Sequence, residues 1–470
     1  MSLLTNQKLW NSIITTPPVK WMLKIALKKC PKCNRNPLES ALDKYAGVYH
    51  SKCSSCSLYV RVIGFWIDFI QRVLGVDKGR VSKLFSDSYV RRAVNSIVYG
   101  FAEFGFNRPI QVHAPFLVVW NFTYKCNLKC KHCYLDAGDN SNKELSTEEA
   151  MKVVDQLADF GVTSLAFSGG EPLMRKDFFE VARHAVDAGL YVSMATNGTL
   201  LTEENVRKLK EIGLHYVEVS VDGIDAKTHD GFRGVNGAFE QTIKGLKNCL
   251  KQDICTCVAV TGTKDNLAEI PAVLEMAESM GIDRFTLFNF IPVGRGKEMV
   301  AGDPSPQERE QLLCYLNKQL SEHHKIAILS TTPQLARVAL EAHSPPQEDL
   351  MMPLAHMEAT KISKRAKALA DFIGGCGAGR LYCAISPEGN VQPCVFMPLV
   401  VGNLKKEKLS DIWLNSPVFE DLRVRENLKG RCSKCEYKFV CGGCRARAFM
   451  YHDDYLMSDP GCIKQVSEGD

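Results

Sequence analysis

Residues from about 115 to 295 predict an α/β fold, a parallel sheet with helices outside it, as an open sheet or a partial barrel. Three observations carry this. Six short runs rich in Val, Ile, Phe and Tyr follow one another along the chain. Amphipathic helical stretches separate them. The residues with chemical character fall just after the strand runs, where ligands gather in such folds.

Taken in order, the strand runs are Leu117–Phe122, Ser164–Ser168, Tyr191–Thr196, Tyr216–Val221, Thr256–Val260 and Arg284–Phe290, with helical stretches such as Thr147–Phe160 and Glu203–Ile212 between them. Chemistry-bearing segments follow four of them: Lys125–Cys133, Gly169–Pro172, Asn197–Gly198 and Asp222–Gly223. We divide the chain into a basic region at 1–112, a core at 113–330, a proline-marked linker or lid at 331–370 and a cysteine-rich tail at 371–470.

Hydrophobic residues make up 45% of the 470 residues and charged residues 24%, which excludes disordered, collagen-like and polytopic membrane chains. The net charge of +5 says little about partners. The 19 cysteines say more, because most fall in short C-x-x-C style groups. With no export-signal pattern at the start, such groups predict metal ligation in a reducing, cytoplasmic setting rather than disulfides. Cys249, Cys255, Cys257 and Cys314 sit in apolar stretches and read as small buried hydrophobes.

Cys126, Cys130 and Cys133 put three thiols within eight residues. Three are one too few for a structural zinc, which is tetrahedral. They suit a [4Fe–4S] cluster that keeps one iron open. This C-x3-C-x2-C loop after the first strand resembles the signature of the radical S-adenosylmethionine (SAM) superfamily. Gly169-Gly170-Glu171-Pro172 resembles the loop that holds the SAM amino group. Thr196-Asn197-Gly198 and Ser220-Val221-Asp222-Gly223 resemble the segments around its ribose and carboxylate. Glycines let backbone approach a ligand, and Glu171 or Asp222 carries charge to balance an ammonium or sulfonium. One departure is His132, where the family more often has an aromatic or apolar residue. The resemblance implies a partial (β/α)6 TIM-like barrel and reductive cleavage of SAM to a 5′-deoxyadenosyl radical that abstracts hydrogen from a substrate. It leaves the catalytic acid, base or relay residue unknown; Tyr124, Tyr134 and Cys257 are candidates that packing would equally explain.

The tail holds Cys376, Cys383, Cys394, Cys432, Cys435, Cys441, Cys444 and Cys462. Its spacing resembles the SPASM extension, which implies two auxiliary [4Fe–4S] clusters and three in all. The resemblance assigns Cys376, Cys383, Cys394 and Cys444 to an inner cluster and Cys432, Cys435, Cys441 and Cys462 to an outer one. Two zinc sites are the competing reading. With four thiolates on each cluster, electron transfer is the implied role. Residues 430–448 look most like SPASM enzymes that process haem-type tetrapyrroles and like peptide maturases. Arg445 and Arg447 there would meet substrate carboxylates or pair with acidic residues of the fold.

Cys30, Cys33, Cys53 and Cys56 form two C-x2-C knuckles, as in a zinc ribbon or rubredoxin-like module, for zinc or mononuclear iron. Residues 1–112 carry 17 Lys/Arg against 6 Asp/Glu. Two amphipathic helices, Lys20–Lys29 and Leu58–Val76, lie within them. Basic, aromatic, amphipathic helices suit a membrane surface or a helix packed on the core. The expected partners are thus SAM, a tetrapyrrole, peptide or lipid substrate, a low-potential donor such as a ferredoxin or flavodoxin, and a peripheral contact with the inner face of the membrane. A nucleic-acid-binding protein lacks support, since no recognisable binding module interleaves aromatic and basic residues. A purely electron-transferring protein would have no use for the SAM-side segments.

Overall fold

The computed structural model describes residues 16–33, 35–48, 53–54, 56–74, 79, 82, 85–138, 144–322, 325–342, 350–354, 357–362 and 370–464. All six strand runs form strands: β1 Leu117–Thr123, β2 Ser164–Gly169, β3 Tyr191–Thr196, β4 Tyr216–Ser220, β5 Thr256–Gly262 and β6 Arg284–Asn289. Each pairs in parallel with the next. A seventh strand, β7 Ala327–Ser330, extends the parallel sheet past β6. Sequence reading passed over it because four residues give periodicity too little to act on.

Side-chain alternation sorts the two faces of the sheet. Val118, Trp120 and Phe122 of β1, Leu165 and Phe167 of β2, and Val192 and Met194 of β3 are buried in one core. Val153, Val154 and Leu157 of the helix Thr147–Phe160 and Val181 of the helix Phe178–Asp187 share it. Ser146 and Glu149 open the first of these helices with a capping box, and Gly161, at φ 94°, closes it. The opposite face is mixed, with Asn121, Ser168 and Glu218, so the barrel interior is polar enough to hold more than packing.

The tail does not stand apart. β8 Leu350–Leu354 and β9 Met357–Ile362 form a separate antiparallel pair in the stretch expected as linker or lid, after a helix at Gln334–Ala342. β10 Tyr382–Ile385 then pairs in parallel with β1, Val118 opposite Cys383. β11 Asn390–Gln392 and β12 Gly402–Asn403 continue antiparallel from it. The result is one ten-stranded sheet ordered β12-β11-β10-β1-β2-β3-β4-β5-β6-β7.

The basic region forms helices at Pro17–Leu27, Pro37–Tyr45, Ser57–Leu74 and Ser88–Phe104. The second expected amphipathic helix is thus present as Ser57–Leu74, while 75–76 lie outside the described residues. Leu27, Leu38 and Leu42 pack with Ile63, Ile67, Val94 and Val98. Arg92 ties this bundle to the barrel, donating to the Ala188 and Val162 carbonyls at 2.9 and 3.3 Å.

Candidate iron–sulfur and SAM site

Cys126, Cys130 and Cys133 leave the end of β1 on a loop packed against Leu128 and Ala238. Backbone bonds from Lys129 and Lys131 to the Arg233 and Phe232 carbonyls, 3.1 and 3.0 Å, fix the loop. Burial pushes the Cys126 thiol up to about 11 and raises Cys130 as well, and at Cys130 the neighbouring Arg233 opposes that rise. Arg233 is buried, donates to Cys130 Sγ at 3.7 Å and forms an ion pair with Asp222. Burial alone would raise Asp222, but Arg233 outweighs it and holds the carboxyl below its ordinary range. Asp222 Oδ1 accepts from the Thr261 amide at 2.9 Å. Asp222 is therefore committed to Arg233 and the β5 end, rather than free to face a ligand's charge.

Glu171 is likewise engaged. Its carboxylate accepts from Thr196 Oγ1 and the Asn197 amide, each at 2.9 Å, and burial pushes it up to about 7. It ties the loop after β2 to the loop after β3. Asn197 Nδ2 reaches Asn127 Oδ1 at 2.8 Å, so the expected SAM-side residues and the cysteine loop form one network. Gly169 has φ 117° and Gly170 lies against the Lys125 backbone, leaving space only for hydrogen. Pro172 opens a short helical turn, Gly198 turns at φ 81°, and Ser220 ends β4 on the face of Glu218. His132 stacks on Phe232 with centroids 4.2 Å apart and planes at 12°. Burial pulls its pKa down to about 3, so the ring is neutral at the position expected to hold an aromatic or apolar residue.

In the tail, Cys376, Cys394 and Cys444 share one buried cluster with Tyr382, whose hydroxyl donates to Cys394 Sγ at 2.6 Å. Cys383 is elsewhere. As the next residue on β10 it points to the opposite face, into the core with Val118, Ile385 and Trp413. The structure thus assembles three of the four thiols assigned to the inner cluster, with the Tyr382 hydroxyl beside them. Cys432 and Cys462 lie within electrostatic reach of Cys441, and Cys435 follows in the same C-x2-C turn. Among the described residues, Cys30, Cys33, Cys53 and Cys56 are the group whose ligand atoms all lie within 4.8 Å of one another. Arg447 bonds Asp303 and Asp459, and Arg445 donates to the Tyr455 and Met457 carbonyls, so both serve the fold.

At the N terminus, Cys30, Cys33, Cys53 and Cys56 do converge, with Cys30–Cys53 and Cys33–Cys56 sulfurs 3.9 and 3.8 Å apart. Four sulfurs about 2.3 Å from one tetrahedral ion stand about 3.8 Å apart. The spacing therefore fits a single zinc or iron ion.

Other candidates find ordinary partners. Tyr124 reaches Glu388 at 2.8 Å, Tyr134 reaches Asn121 at 2.8 Å and Ser168 at 3.0 Å, and Cys257 lies 3.2 Å from Thr286 Oγ1. Sequence reading missed Arg233, because nothing local marks an arginine whose partner is a cysteine 103 positions away.

A thiol triad at the carboxyl ends of parallel strands, with a second cysteine-rich body joined to the same sheet, defines an iron–sulfur enzyme of the α/β-barrel type. The family model of the radical SAM superfamily matches residues 120–277, and that of an iron–sulfur cluster-binding domain, SPASM, matches residues 376–436. An AdoMet-dependent heme synthase of Methanosarcina barkeri is 40% identical over 356 residues, 75% of this chain and 97% of that protein. An Fe-coproporphyrin III synthase of the same organism is 35% identical over 361 residues, 75% of this chain and 88% of that protein. The fold is similar to the crystal structure of Streptococcus suis SuiB bound to S-adenosylmethionine, with TM-score 0.63 at 17% identity over 91% of this chain and 93% of that one. The chain belongs to the radical SAM superfamily and carries a SPASM domain. It is an enzyme of that class, with [4Fe–4S] clusters and SAM as cofactors.

Proposed function

We propose that this enzyme performs radical chemistry on a haem-type tetrapyrrole, with a peptide as the second substrate class. When bound, the cluster of Cys126, Cys130 and Cys133 and SAM supply the 5′-deoxyadenosyl radical that abstracts hydrogen. The observation that carries this reading is the network from Cys126 through Asn127 and Asn197 to Glu171, which holds the strand-end loops in one arrangement. Gly169, Gly170, Glu171, Pro172, Thr196, Asn197, Gly198, Ser220 and Asp222 shape the SAM side, with Asp222 acting through Arg233. The names of the two M. barkeri relatives support a tetrapyrrole. The test is anaerobic turnover with reductant, SAM and Fe-coproporphyrin III. A changed porphyrin mass together with 5′-deoxyadenosine supports the reading. SAM cleavage that leaves the porphyrin intact refutes it.

A low-potential ferredoxin or flavodoxin would deliver the electron in the cytoplasm. A membrane-surface setting is supported by the helix Ser57–Leu74, where Leu58, Val62, Phe65, Trp66 and Phe69 all point to solvent on one face. Exposed aromatics within a strongly basic region suit an anionic bilayer. Among the described residues no helix is long and apolar enough to cross a membrane. Flotation with anionic vesicles should fail on replacing Phe65, Trp66 and Phe69 by Ser; failure of the unaltered protein to float would refute this setting.

A further inference from the structure

Four arginines of the tail, Arg380, Arg423, Arg425 and Arg445, are buried without a carboxylate partner among the described residues, and Arg380 and Arg425 also leave donor nitrogens unmatched. Arg380 has no exposed surface and Arg425 is 1% exposed. Arg380 donates through Nη2 to the Gly374 and Ile373 carbonyls, 2.6 and 3.3 Å, and through Nε to Cys376 O at 3.4 Å; its Nη1 has no partner. Arg425 donates through Nη2 to Cys376 O at 2.9 Å, and its Nε and Nη1 have none. Among the described residues no carboxylate pairs with either. Elsewhere Arg233 pairs with Asp222 and Arg447 with Asp303 and Asp459, while Arg423 is met by the Gly379 and Trp413 carbonyls and Arg445 by the Tyr455 and Met457 carbonyls and by Cys432 Sγ at 3.7 Å.

An isolated buried cation costs several kcal/mol, so a fold that keeps two of them side by side must supply an anion. The anionic groups in reach are thiolates. Cys376, Cys441 and Cys432 act on Arg425, and Cys376 acts on Arg380. Arg425 Nη2 donates to Cys376 O of the inner set, and its guanidinium packs against Gly442, beside Cys441 of the outer set, so Arg425 stands between the two. The backbone is cleared for it. A Cβ on Gly442 would sit 2.8 Å from Arg425 Cζ, and one on Gly375 would sit 3.1 Å from its Nη2. The glycine of the Cys441-Gly442-Gly443-Cys444 loop thus makes room for a guanidinium.

We infer that Arg425, assisted by Arg380, is the built-in counter-cation of the two auxiliary clusters and holds their reduction potentials up. The inference rests on the tail cysteines holding clusters. Reduction adds negative charge, and a fixed cation in a dry site stabilises the more negative state, so the potential rises. Burial lowers the pKa of both guanidinium groups, that of Arg380 to about 9, which leaves Arg380 charged near neutral pH. The role is a positioning one, exerted on the clusters rather than on substrate.

The test is an EPR-monitored redox titration of the anaerobically reconstituted full-length protein, with iron counted in each sample, for Arg425→Met, Arg425→Lys and Arg380→Met. Arg425→Met should move at least one auxiliary midpoint to more negative potential, Arg425→Lys should stay near the unaltered protein, and Arg380→Met should move less than Arg425→Met. The cluster of Cys126, Cys130 and Cys133 serves as the internal reference and should not move. If Arg425→Met fails to assemble clusters while Arg425→Lys assembles them, charge is again what matters. Full iron with unmoved midpoints in Arg425→Met overturns the inference. Equal loss of iron in the Met and Lys variants also overturns it, since shape rather than charge would then be needed. An unaltered protein with only about four irons removes the premise, and the inference falls with it.

Discussion

Replacing Gly170 by alanine tests how tightly the strand ends are held. The added Cβ would lie 2.7 Å from the Lys125 carbonyl carbon, 2.9 Å from Tyr124 O and closer still to Lys125 O. Carbon atoms in contact rest at about 3.5–4.0 Å, so the two backbones must part by about 0.8 Å or more. No side chain can swing aside, because every obstructing atom is backbone. The same Lys125 carbonyl accepts the Glu171 amide at 2.7 Å, and that bond would stretch with the displacement. Overpacking costs about 1–3 kcal/mol and the weakened hydrogen bond about 1 kcal/mol more. The larger effect falls on turnover. Lys125 adjoins Cys126, and a misplacement of about 1 Å among reacting groups costs about 10²-fold. Anaerobic 5′-deoxyadenosine formation should therefore fall by about two orders of magnitude in Gly170→Ala with iron content kept. Gly138→Ala is the control, since its Cβ meets nothing within 4 Å. A Gly170→Ala enzyme within twofold of the unaltered rate would refute the reasoning.

The remaining predictions concern charges and ligands. Arg233→Met strands Asp222 and should cost about 3–5 kcal/mol, seen as a lower thermal midpoint; Arg233→Met with Asp222→Asn should recover much of it, and a double variant no better than the single one would count against the pair. Because Asp222 is held below its unfolded value of about 3.9, its stabilising contribution is complete above that pH and disappears as pH falls through the folded value. The stability loss of Asp222→Asn in urea titrations should accordingly shrink toward acid pH. Cys383→Ser should keep the full cluster iron while Cys376→Ser loses iron, and equal losses would restore Cys383 as a ligand. Cys53→Ser should remove one zinc or iron ion per chain by elemental analysis and leave SAM cleavage by the cysteine triad in place.

The six strands were legible because their signals are local. Apolar runs, turn residues and helix caps such as Ser146 and Glu149 are read within a few positions, and the strands end within a residue or two of expectation. The cysteine groups were legible for the same reason. What escaped depends on distance or on direction. β10 joins β1 across more than 260 positions, and no local pattern announces such a pairing. The resemblance placed Cys383 among the inner thiols, yet a strand sends neighbours to opposite faces, and only the pairing of β10 reveals which face Cys383 takes. Glu171 and Asp222 were visible as charges, but Thr196, Asn197 and Arg233 decide what those charges do. Arg447 turned out to join the tail to Asp303 of the core, and Arg445 to bond carbonyls of the tail and Cys432 Sγ.

The union of β10 with β1 also bears on how this molecule could be cut or recombined. A shortened chain lacking the last hundred or so residues would strip β1 of its neighbour and present Leu117–Trp120 as a naked, valine-bearing margin. Such margins recruit other strands, so the fragment should clump rather than behave as a small working enzyme. The cluster-binding end is therefore a stave of the same cask, and grafting it between relatives would mean exchanging β1 with it.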